Sequence, residues 1–113
     1  MLVRDDLEER SPLGLNLWIM PDGEAVVDLG GDLDIVSAEV AFDYVADVID
    51  RCRGPVVVDL STLDYCDARG LRALARMCSY AELSGCPFQL ASPSESLVKI
   101  MRITGLNLNF RHC

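Results

Sequence analysis

The chain has little positive charge. Ten lysines and arginines stand against eighteen aspartates and glutamates, a formal net charge of −8 over 113 residues. Affinity for nucleic acid rests mainly on cations that neutralise phosphates, so this balance argues against direct DNA or RNA binding. Histidine is scarcer still. His112 is the only one, next to the last residue; it is a poor place for a positioned base, and no metal-ligand spacing accompanies it. No G-x-S-x-G, Walker A or G-x-G-x-x-G motif occurs, which removes the usual sequence signs of hydrolase, nucleotide and dinucleotide chemistry. No apolar run approaches the roughly 20 residues needed to cross a bilayer. The opening residues, Met1-Leu2-Val3-Arg4-Asp5-Asp6, lack the plan of a secretory signal. We therefore expect a cytoplasmic protein that is not an enzyme, holds neither metal nor cofactor and does not insert into membranes.

Cysteine is present but unorganised. Cys52, Cys66, Cys78, Cys86 and Cys113 make an odd number with no C-x-x-C pair. In a reducing compartment most such residues serve as small core hydrophobes. Half of the residues are apolar and a quarter are charged, as in an ordinary globular protein. The length suits one domain, large enough for a core without staples.

Periodicity places the elements. Residues 1–12 are polar and acidic and read as a frayed tail before a single domain over 13–113. Leu13 to Met20 reads as a strand, with Leu15, Leu17 and Ile19 alternating against Asn16, Trp18 and Met20. Pro21-Asp22-Gly23 is a hairpin turn, and Ala25 to Leu29 a second strand closed by Gly30-Gly31. Ser37 is placed to cap a helix carrying Ala38, Ala41, Phe42, Val45, Val48, Ile49 and Cys52 on its apolar face. Pro55 to Leu60 is a β-branched run suited to a strand buried on both faces. Residues 61–66 read as a loop. A second helix runs from about Asp67 or Ala68 to Leu83 on a stripe of Leu71, Leu74, Ala75, Cys78 and Ala81, closed by Gly85. Pro87 to Ala91 is a strand. Ser92-Pro93-Ser94-Glu95 reads as a capping box with Ser92 at the N-cap, Gly105 stops that helix, and 106–110 alternates as a last strand. The order β-β-α-β-α-β-α-β implies crossovers, hence a largely parallel sheet with an antiparallel hairpin at its start.

Two features bear on function. Carboxylates gather at Asp32, Asp34, Asp59, Asp64 and Asp67; such positions serve turns and caps, and strand-end aspartates also lie where α/β folds hold ligands, so weak nucleotide or phosphate binding is one reading. Arg69, Arg72 and Arg76 follow at i, i+3 and i+7, a cationic stripe on an acidic protein. It is either a solvated face or a docking stripe for an acidic partner surface.

Four motifs in order resemble the STAS domain of bacterial anti-sigma factor antagonists. They are Gly31-Asp32-Leu33-Asp34 with Ser37-Ala38; Val56-Val57-Val58-Asp59-Leu60-Ser61 with Leu63-Asp64-Tyr65-Cys66-Asp67; Gly70-Leu71; and Ile103-Thr104-Gly105-Leu106. The similarity spans roughly residues 13 to 110. It implies an α/β fold with a mixed sheet of four or five strands flanked by three to four helices. It also implies a partner, an anti-sigma factor often built on a GHKL-type kinase fold, whose capture frees a sigma factor. Carried over by motif, the partner-binding residues are Asp32, Asp34, Ser61, Thr62, Asp67, Ala68, Arg69 and Leu71, to which the stripe adds Arg72 and Arg76. A second copy of the chain is a further candidate partner.

The chain departs from that family at one place. Switchable members carry two hydroxyl residues after the aspartate, and the second is phosphorylated. Here Ala68 and Arg69 stand there, and neither accepts phosphate. Control by phosphorylation is thus not expected at this site. Cys66, just before a helix N-terminus that would lower a thiol pKa, is a candidate redox switch. The missing hydroxyls also suit a STAS subunit or scaffold of a larger complex, such as a lipid-transport ABC complex or a stress-signalling assembly.

Overall fold

A computed structural model describes residues 11–104 and 110–111. The elements are β1 (Gly14–Ile19), β2 (Ala25–Leu33), α1 (Ala38–Arg51), β3 (Val56–Asp59), β4 (Leu63–Cys66), α2 (Ala68–Leu83), β5 (Phe88–Ala91), α3 (Glu95–Thr104) and β6 (Phe110–Arg111). The strands lie side by side as β1-β2-β3-β5-β6, and β4 pairs with β2 off this path. β1 and β2 form the antiparallel hairpin; every other pairing is parallel. This is the mixed five-stranded sheet with three helices that the pattern implied, plus one short strand.

The core follows from the clearest sequence signals. Val56, Val57 and Val58 are all buried between β2 and β5, as a β-branched run in a central strand should be. α1 buries Ala41, Val45, Val48 and Ile49, the heart of its expected stripe, with Ala38, Phe42 and Cys52 half-buried at the margin. α2 is rotated from expectation. It buries Gly70, Leu71, Ala73, Leu74, Met77 and Ala81, whereas Ala75 and Cys78 are only half-buried. The cause lies at Gly70, which seats the helix against Leu33 so closely that a Cβ there would meet the Leu33 carbonyl oxygen.

Four expectations are corrected. β1 is not half-buried by alternation: Leu17, Trp18 and Ile19 keep 42, 56 and 58% of their surface exposed, on a strand with β2 as its one neighbour among the described residues. β2 does not close at Leu29. Gly31 (φ +77°) shifts the register and the strand resumes to Leu33. There it pairs with β4, in what read as a loop. At α3 the cap is Ser94, whose Oγ accepts from the Leu97 N–H at 3.1 Å. Ser92 instead adopts φ +56°, a left-handed conformation outside the helix. Lastly, Ser11 and Pro12 are not a frayed end. Ser11 accepts from the Asp32 N–H and donates to the Asp32 carboxylate, both at 3.1 Å. The rest of the tail, Gly105 and residues 106–109 lie outside the described residues; the last strand is present as Phe110–Arg111.

Candidate functional site

The carboxyl ends of β2, β3 and β4 and the first turns of α1 and α2 meet at one end of the sheet. Parallel crossovers bring them there: β2, β3 and β4 run in one direction, and each helix follows a strand. Leu33 is the centre. Its carbonyl accepts from the Asp67 N–H at 3.2 Å, its neighbour across the ladder is Cys66, and Gly70 packs on it. Asp67 caps α2, its Oδ1 accepting from the Gly70 N–H at 2.9 Å. The start of α2 is therefore fixed to the sheet by backbone and side chain together.

Asp32 and Asp34 serve this frame from within. They are 2% and 7% exposed. Asp34 Oδ1 accepts from the N–H groups of Val36 and Ser37 at 3.0 and 3.2 Å. Ser37 does not cap α1 with its hydroxyl. Its Oγ accepts from the Asp34 N–H at 3.0 Å and donates to the Asp32 carbonyl at 2.7 Å, and Asp34 takes the helix-opening role. Asp59 likewise accepts from the Ser61 N–H at 2.8 Å. Leu71 is 2% exposed and belongs to the core. Asp32, Asp34 and Leu71, expected on the partner-binding face, are thus buried and shape the loops around it.

Ser61, Thr62, Ala68, Arg69 and Arg72 are exposed around Asp67. The cationic stripe is shorter than its spacing suggested. Arg76 bonds Glu39 of α1 at 2.7 Å and lies 4.0 Å from the centre of the Phe42 ring, so it ties the two helices together. Arg69 and Arg72 remain as the outward cations. Cys66, the candidate redox residue, is half-buried. Burial, with the charge of Asp67 adding to it, pushes its thiol up to about 12, in the direction opposite to the lowering expected from the helix end.

Sequence reasoning missed an apolar patch beside these residues. Ile35, Val36 and Val40 are 62, 65 and 57% exposed. Val36 and Val40 line a shallow groove of about 530 Å³ with Leu13 and Leu15. Val40 lies off the buried stripe of α1, which was the available signal. Among the described residues no group of three or more His, Cys, Asp or Glu is placed to hold a metal, and no helix is long and apolar enough to cross a membrane.

The family model described as "Mlab, STAS domain" matches residues 20–108. An anti-sigma factor antagonist from Mycobacterium paratuberculosis has a similar structure, with a TM-score of 0.73 at 24% identity over 89% of this chain and 85% of that one. The anti-sigma factor antagonist SpoIIAA of Bacillus, solved unphosphorylated and phosphorylated, gives 0.71 in the first form, at 18% identity over 88% of each chain. A murine anion transporter, Slc26a9, contains a similar fold: TM-score 0.61, 19% identity, 72% of this chain and 14% of that one.

Proposed function

The chain belongs to the STAS domain family, and from that premise we propose that it is an anti-sigma factor antagonist, a binding module that captures an anti-sigma factor and so frees a sigma factor. The observation that carries this reading is the face at the start of α2. Ala68, Arg69 and Arg72 are exposed there with Ser61 and Thr62, on a helix end held from below by Asp67, Gly70 and Leu33. A rigid scaffold under an exposed arginine pair suits docking to an acidic surface, where arginine makes planar, bidentate contacts. The partner is an anti-sigma factor of GHKL kinase fold, met in the cytoplasm, and the protein is not an enzyme.

This face has no phosphate switch. A phosphoserine brings roughly −1.5 to −2 charges and disrupts docking by repulsion and desolvation. Ala68 and Arg69 hold the positions of the family's hydroxyls, and Arg69 puts a permanent positive charge there. The face is therefore constitutively open. Incubation with the captured kinase and ATP leaves the chain unmodified; phosphate on Ser61, Thr62 or Ser79 would overturn this.

A second reading has its own support. The same fold forms a small part of a murine anion transporter, and the matching family model carries a description of its own, Mlab, so a STAS subunit of a larger assembly is the alternative. Affinity capture with the tagged full chain and mass spectrometry separates them. A GHKL-type anti-sigma factor is the expected partner; an ABC ATPase in its place would overturn the first reading in favour of the second.

A further inference from the structure

We propose that the outer edge of β1 is a self-association surface, along which two copies of the chain join antiparallel about a two-fold axis at Leu17. Among the described residues β1 pairs with β2 alone, so no described strand takes up the backbone N–H and C=O groups along its other side. Natural proteins blunt such edges with charge, proline or a bulge. β1 has none of these. No charged residue occurs between Arg10 and Asp22, no proline lies within Gly14–Ile19, and the register with β2 is unbroken over six residue pairs. The side chains that would shield it are apolar and uncovered: Leu17, Trp18, Ile19 and Met20 are 42, 56, 58 and 38% exposed. Trp18 is also anchored, its Nε1 donating to Asp28 at 3.0 Å.

A second copy suits this edge for two reasons. The first is register. An axis at Leu17 sets Leu17 against its twin, Leu15 against Ile19 and Asn16 against Trp18. Leu15, Leu17 and Ile19 share a face with the buried Ala25, Val27 and Leu29 opposite them, so apolar side chains meet apolar ones across the junction, as cross-strand pairing favours. The second is charge. Two chains of net charge −8 repel, and they approach with least repulsion along an uncharged strand. The contact is small. Six residues span about 20 Å, which places the dimer among weak interfaces that dissociate on dilution. β1 pairs with Ala25–Gly30 and β4 with Gly31–Leu33, so the edge is distinct from the Asp67 face, and the inference does not rest on the function proposed above.

The test uses the full chain in sedimentation equilibrium from about 1 μM to about 1 mM, the span of weak affinities. The mass is expected to rise with concentration from 12.4 kDa towards twice that value. The emission of Trp18, the only tryptophan, moves to shorter wavelength along the same curve. Leu17→Lys and Ile19→Lys, both at exposed positions, hold the monomer mass with an unchanged circular dichroism spectrum. A monomer at every concentration would overturn the proposal, whether the edge is covered by the chain's own residues or reserved for another partner. So would association that survives both lysine variants or leaves the Trp18 emission unmoved.

Discussion

Replacing Gly70 by alanine sets two effects of opposite sign against each other. Alanine in a helix gains about 0.8–1.0 kcal/mol over glycine. Against this, the new Cβ overlaps the Leu33 carbonyl oxygen and comes within 2.9 Å of both its carbon and the Leu33 Cγ. Leu33 is fully buried and its carbonyl is backbone, so neither yields as a surface side chain would. Relief requires the first turn of α2 to lift from β2, which stretches the 3.2 Å bond from the Asp67 N–H to Leu33. Overpacking costs about 1–3 kcal/mol and a lost hydrogen bond about 0.5–1.5 kcal/mol. The balance is a destabilisation of about 0.5–3.7 kcal/mol, and each kcal/mol lowers Tm by roughly 4–8 °C in a domain near this size. Urea unfolding followed by circular dichroism measures it, with the slope m unchanged. If Gly70→Ala instead stabilised the protein by the full helix-propensity gain, α2 would not be seated on Leu33, and the argument for a rigidly held face would fail.

Asp67→Ala loses the cap on the Gly70 N–H and lowers stability by about 1 kcal/mol, while Asp67→Asn retains it; the two urea midpoints should differ accordingly. Cys66, with its thiol pushed up to about 12, has a thiolate fraction at pH 8 about a thousandfold below that of a thiol at the ordinary value of 9.0. In iodoacetamide labelling mapped by mass spectrometry it should lag free cysteine, and labelling at the same rate would contradict the burial argument. Arg76→Ala should cost about 1 kcal/mol, because an exposed ion pair contributes about 0.2–1 kcal/mol and the contact with Phe42 about 0.5–1 kcal/mol. Glu39→Gln should cost less, since the ring contact survives it; equal losses in a double-mutant cycle would assign everything to the ion pair.

The elements with long, consistent patterns were legible in the sequence. The α1 stripe repeats over four turns, and Val56–Val58 needs no partner to read as a central strand. β4 was not legible. Its four residues are too few for periodicity, and it exists because the Gly31 bulge lets β2 resume beside it. The exposure of Leu17 and Ile19 was hidden for a related reason: alternation shows which side chains share a face, not whether a helix covers that face. The motif residues gather at one end of the sheet, but the sequence did not show the depth of each. Asp32, Asp34 and Leu71 lie beneath the face, and only three-dimensional packing separates them from Ser61, Thr62, Arg69 and Arg72 above it. Arg76 shared a stripe with Arg69 and Arg72 by spacing, yet Glu39 and Phe42 come to it from α1, more than 30 residues away. Cys66 shows a balance of two effects. A helix end lowers a thiol pKa, but burial beside the charge of Asp67 raises it further.

The central claim is that the exposed arginines at the start of α2 dock an anti-sigma factor. Isothermal titration of the captured anti-sigma factor with the wild-type chain and with Arg69→Glu tests it most directly, circular dichroism confirming that the variant is folded. Reversing a charge at the centre of a complementary interface should weaken binding by about tenfold or more, with the loss reduced at high salt because screening weakens the interaction being removed. Equal affinity for the two chains would contradict the account, and would place the partner surface of this STAS domain elsewhere than on α2.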